Sequence, residues 1–124
     1  MEYSEDSRFC RYVLEESYVL AVHVGVDWAV IELDVCLSKE HPEAAVKAEG
    51  DWSAFRPAQL WFKQAKVDYQ PSGARPSLDA DDSWDYGSID RFEIVGLDDF
   101  HIEGEFGALR LHAPDAYMKE FSIG

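Results

Sequence analysis

A chain of 124 residues is enough for a single domain, residues 1–124, that buries one core without disulfides or metal to hold it. Its composition, 47% hydrophobic and 14% aromatic, is that of a folded globular protein and excludes a disordered acidic tail. The 25 acidic against 11 basic residues give a formal net charge of −14, a field that repels nucleic-acid phosphates and anionic membrane surfaces and draws a cationic partner.

The N-terminal run MEYSEDSRFC carries acids where a signal peptide needs positive charge. No apolar run in the chain approaches membrane-spanning length, so the expected compartment is the cytoplasm. Residues 1–17 mix charge with Phe9, Tyr12, Val13 and Leu14 and fit either an N-terminal arm or a short helix.

From Tyr18 the pattern turns to period two, with Tyr18, Leu20, Val22 and Val24 on one side and Val19, Ala21 and His23 on the other. Gly25-Val26-Asp27 is turn chemistry. Trp28 to Leu37 then alternates, with Ile31, Leu33, Val35 and Leu37 opposite Glu32, Asp34 and Cys36, which predicts an antiparallel hairpin. SKEHPEAAVKAEGD reads as a long loop. The stretch from Ala58 to Tyr69 reads as a third strand whose parity slips between Leu60/Phe62 and Ala65/Val67, the mark of a bulge or of burial on both faces.

Ile89–Val95, Asp99–Glu103 and Ala108–Ala113 complete the series, the last two joined through Gly104–Gly107, and AYMKEFSIG adds a terminal segment. The expected fold is all-β, a single antiparallel meander of about six strands closed into a barrel or packed as a sandwich. The alternative is a β-rich α+β fold with one short helix within 5–16 or 43–49.

Two places carry candidate chemistry. LDADDSWDYGSID packs Asp79, Asp81, Asp82 and Asp85 around Trp84 and Tyr86. Set against a calcium hand with Asp79 first, it puts Trp84 where the turn glycine belongs and the short Asp90 where the bidentate acid belongs, with no helical flank. It reads instead as an acidic recognition loop, with Trp84 and Tyr86 as aromatic contacts.

The last hairpin, drawn on its glycine turn, sets Glu103 opposite Ala108, His101 opposite Arg110 and Asp99 opposite His112. Asp99, His101 and His112 on one polar face are the alternative site, for a metal or a small ligand. His23 reads as a hydrogen-bonded histidine within an apolar strand.

Cys10 and Cys36 form no CxxC pair, and no phosphate-binding glycine loop, GxSxG elbow or HExxH is present. No cofactor and no catalytic constellation are therefore expected. The tryptophans Trp52, Trp61 and Trp84 are candidate anchors for a partner, with Trp61 and Trp28 equally readable as core.

The segments YVLAVHVGVDWAVIELDVCL, AQLWFKQAKV, DYGSIDRFEI and FHIEGEFGALRLHA resemble those of small uncharacterised bacterial all-β proteins, some of immunity-protein type. The resemblance implies a scaffold and transfers no functional residues. Together these features point to a non-enzymatic module that binds a protein partner, basic in charge, in the manner of an antitoxin-like inhibitor. Exposed sheet edges are a route to a homo-oligomer.

Overall fold

In the computed structural model the residues described are 6, 8–38, 41, 54–73, 77–78, 84–96 and 98–121. They form ten strands: β1 (Tyr12–Val24), β2 (Trp28–Leu37), β3 (Ala54–Lys63), β4 (Lys66–Pro71), β5 (Ser77–Leu78), β6 (Trp84–Asp85), β7 (Ile89–Val95), β8 (Asp99–Gly104), β9 (Gly107–His112) and β10 (Asp115–Glu120). One sheet has the order β1-β2-β3-β10, a second the order β4-β9-β8-β7, and β5-β6 is a short ribbon. Every pairing is antiparallel. The all-β expectation holds as a sandwich and not as a closed barrel.

The chain passes between the sheets twice near one edge. The parity slip after Phe62 is neither a bulge nor a doubly buried strand: Gln64, at φ 51°, turns the chain out of β3 and Ala65 leads it into β4 in the facing sheet. A period-two pattern cannot continue through such a turn, because the chain changes sheets and its inward side changes with it. Ala113 and Pro114 carry β9 back to β10 in the same way.

The opposite edge is stitched. Tyr18 bridges Ser88, the Val19 amide donates to the Gly87 carbonyl at 3.0 Å, and the Tyr86 amide donates to the Val19 carbonyl at 2.8 Å. Gly87 takes φ 80°, a conformation that suits glycine. The sandwich is thus joined along β1/β7, while the outer edges of β10 and β4 carry no strand among the described residues.

Residues 8–11 are a turn, and no helix occurs among the described residues. Its purpose is to insert Phe9, which is fully buried and meets Phe92 at 5.5 Å and Phe100 at 6.0 Å, both edge-on. Phe100 also meets Phe62 of the other sheet at 5.1 Å. Each such ring contributes about 1.5–3 kcal/mol by leaving water.

Strand β1 begins at Tyr12, six residues before the period-two pattern becomes visible, because a wide bulge lies between Val13 and Tyr18. There Leu14 dips into the core. Ser17 is buried, and its hydroxyl donates to the Val13 carbonyl at 2.9 Å and accepts the Cys36 amide at 2.9 Å. A backbone donor stranded by the bulge is satisfied by a side chain, as buried amides require.

Candidate functional site

Alternation along the strands sorts the first sheet into two faces. Ala29, Ile31, Leu33, Leu60 and Phe62 turn into the core. The register Val30↔Trp61↔Tyr117 and Trp28↔Lys63↔Asp115 places the other parity outside. Trp28 is 37% exposed there, and Trp61 and Tyr117 are half-buried.

These three side chains form a row across β2, β3 and β10. Trp28 and Trp61 have ring centroids 6.1 Å apart, and Trp61 and Tyr117 lie 6.5 Å apart with planes within 8°. The Lys63 ammonium sits 5.9 Å from the Trp61 ring and 5.3 Å from that of Tyr117, a cation held against two π faces. The Trp61 indole donates to Gln59 Oε1 at 3.0 Å, which fixes its rotamer. Gly25 is close to the Trp28 ring: a Cβ there would stand 2.0 Å from the indole nitrogen, so only glycine lets this ring lie over the turn.

Farther along the same face Tyr18 and Phe55 meet at 5.8 Å. Between the two aromatic groups stand Glu32 and Asp34, with Asp27 in the adjoining turn and Asp115 at the end of the row. Glu32 also holds His23 at 2.7 Å. Cys36 lies on this side but is buried, and burial, then Glu16 and Asp34, raise its thiol pKa, which disfavours the thiolate. The sequence signal for the row was present: Trp28 shares its parity with Glu32 and Asp34, and Trp61 shares its parity with Gln59 and Lys63.

The outer face of the second sheet is different. The predicted register of the last hairpin is observed, with Asp99 opposite His112, His101 opposite Arg110 and Glu103 opposite Ala108. His112 Nδ1 and Asp99 Oδ1 are 2.7 Å apart. Asp99, His101, Arg110 and His112, with Lys66 and Asp68, line a shallow groove of about 380 Å³. Among the described residues no three His, Cys, Asp or Glu side chains are grouped to hold a metal ion. Acidic and basic side chains are mixed across this face, as where Asp68 stands opposite Arg110 and Arg91 pairs with Glu93 at 2.5 Å, so it is partly self-compensated.

The acidic stretch is brought only partly into view. Asp79, Asp81 and Asp82 and the side chain of Trp84 lie outside the described residues, as does Trp52. Asp85 is 4% exposed and accepts the Gly87 amide at 2.6 Å, so it shapes the turn into β7. Tyr86 is half-buried and packs against the core.

One cluster escaped the sequence altogether. At one end of the sandwich the Tyr12 hydroxyl donates to Glu120 Oε2 at 2.5 Å, and His41 Nε2 lies 3.1 Å from both oxygens of the same carboxylate. His41 is 6% exposed. Burial raises the Glu120 pKa, but the hydrogen bonds from Tyr12 and His41 outweigh it and leave the carboxyl below its ordinary value. Burial, followed by the Glu120 hydrogen bond, pushes the Tyr12 phenol well above its usual range. The phenol donates to the carboxylate and is kept protonated by burial and by that charge, so the contact acts as a structural lock.

No protein-family model, curated protein or solved structure matches the chain. Among the described residues no helix is long and apolar enough to cross a membrane.

Proposed function

We propose that the protein is a non-enzymatic binding module whose outer first-sheet face grips a cationic protein partner. The observation that supports this reading most is the row Trp28, Trp61 and Tyr117, partly exposed on the outer face of the sheet, with Asp27, Glu32 and Asp115 near it and Lys63 within it. Large aromatic rings give contact area at small entropic cost and are frequent centres of binding energy. The surrounding acids, within a chain of net charge −14, speed encounter with a basic surface. Lys63 lies against two of these rings, a contact of the kind a basic partner would make.

An intracellular inhibitor that covers a basic partner, in the manner of an immunity protein, is the form of module this charge and shape suit best. The test is tryptophan fluorescence of the whole protein titrated with an arginine-rich peptide and with a glutamate-rich one. Saturable quenching by the basic peptide alone, weakened by salt and reduced in Asp27→Asn/Glu32→Gln, which keeps both reporting indoles, is the expected result. Equal response to both peptides, or binding indifferent to salt, contradicts the proposal.

A further inference from the structure

Among the described residues β10 is an edge strand of the first sheet, and its sequence is complementary to itself. Six consecutive residues, Asp115 to Glu120, pair with β3 without a bulge, and no proline interrupts them. Natural edge strands are commonly blunted by proline, bulges or brevity. By contrast β4, the other open edge, ends in Pro71.

The backbone phase of β10 follows from one bond. The Phe121 amide donates to the Pro57 carbonyl at 2.8 Å. Hydrogen-bonded pairs recur at every second residue of an antiparallel ladder, so Lys119, Tyr117 and Asp115 turn their backbone groups toward β3. Ala116, Met118 and Glu120 therefore turn theirs toward the open edge, where no strand takes them among the described residues.

We propose that two copies of this chain associate by antiparallel pairing of β10 with β10 about a two-fold axis at Tyr117. In that register Ala116 of each copy exchanges both backbone hydrogen bonds with Met118 of the other. The Glu120 amide of each reaches the Pro114 carbonyl of the other. Tyr117 faces its own copy across a non-hydrogen-bonded position, where side chains stand closest.

On the outer face Asp115 of each copy meets Lys119 of the other, so both charge pairs are attractive. Sliding the pairing by two residues in one direction sets Tyr117 against Lys119, and in the other sets Tyr117 against Asp115; neither matches the charges. The isologous contact closes on itself and joins the two first sheets into one. It also brings the two aromatic rows end to end at Tyr117, a consequence that does not depend on what those rows bind.

Sedimentation equilibrium of the full chain across a range of concentrations tests this, together with charge reversals. The expected result is a dimer whose dissociation constant rises roughly tenfold or more in Lys119→Asp and in Asp115→Lys, as two cross-strand pairs change from attraction to repulsion. The double reversal Asp115→Lys/Lys119→Asp restores the dimer, because each new charge then meets its opposite on the other copy. Tyr117→Cys, oxidised, yields a covalent dimer that peptide mapping shows to be joined at position 117, as directly opposed Cα atoms at about 4.5 Å allow. A monomer at millimolar protein, or a dimer indifferent to the single reversals, overturns the proposal. So does a double reversal that fails to recover while circular dichroism shows it folded.

Discussion

Trp61 and Phe62 are neighbours in the chain and lie on opposite faces of the first sheet. Phe62 meets Phe100 edge-on at 5.1 Å in the core, while Trp61 stacks beside Tyr117 on the outside. The two rings are similar in chemistry and differ in task, one contributing to folding and the other available for binding.

That division predicts opposite ranks in two assays. Phe62→Ala is expected to cost about 3–5 kcal/mol in urea unfolding, as a fully buried aromatic leaves a cavity. Trp61→Ala, partly solvated, is expected to cost about 1–2 kcal/mol. Equal losses of stability would mean that Trp61 is part of the core.

Ser17 tests the bulge in β1. Its hydroxyl is the acceptor for the buried Cys36 amide, so Ser17→Ala is expected to destabilise by about 1–3 kcal/mol. Glu15→Ala, on the exposed side of the same bulge, is expected to stay within about 0.5 kcal/mol of the parent. A Ser17→Ala midpoint equal to the parent's would show that water reaches the amide.

Acid unfolding tests Glu120. Its folded-state pKa lies below the ordinary value of 4.5, so the carboxylate stabilises the fold above that pH and the contribution is lost as pH falls through the folded-state value. Asp6 acts in the same sense, lowered chiefly by its hydrogen bond from Arg8. In Tyr12→Phe, which removes the phenol donor, stability near neutral pH falls and its decline below the ordinary glutamate range becomes shallower. Parallel pH–stability curves for parent and variant would contradict the lock.

Gly107 tests the hairpin between β8 and β9. It takes φ 131°, and a Cβ there would stand 2.2 Å from the Gln70 carbonyl oxygen, a backbone atom of β4. Gly107→Ala is expected to cost more than about 2 kcal/mol, from strain together with displacement of β4. An unchanged melting temperature would show that β4 yields freely.

The hairpin of β8 and β9 was legible because its turn is bounded by glycines and its strands alternate cleanly, so one turn length set every partner. The phase shift between Phe62 and Ala65 was legible as an interruption but not as a change of sheet, since a local pattern carries no information on which sheet receives the next strand. The start of β1 at Tyr12 was hidden by the bulge, which breaks the alternation that marks a strand. The outward setting of Trp28 and Trp61 was obscured by their own hydrophobicity, although their parity with Glu32 and Lys63 contained the answer. Tyr12 and Glu120, separated by 108 positions, meet only through β3 and the closing of one end of the sandwich, and no short-range pattern announces such a contact.

Nitrogen-edited NMR of the labelled protein titrated with an arginine-rich peptide reads the aromatic face itself, through the indole N–H signals of Trp28 and Trp61. Salt-sensitive shifts of both indoles and of the β3 and β10 amides are expected, with the amides of β7, β8 and β9 unmoved. Shifts confined to the groove around Asp99, His101 and His112, with both indoles unchanged, would contradict binding at this face.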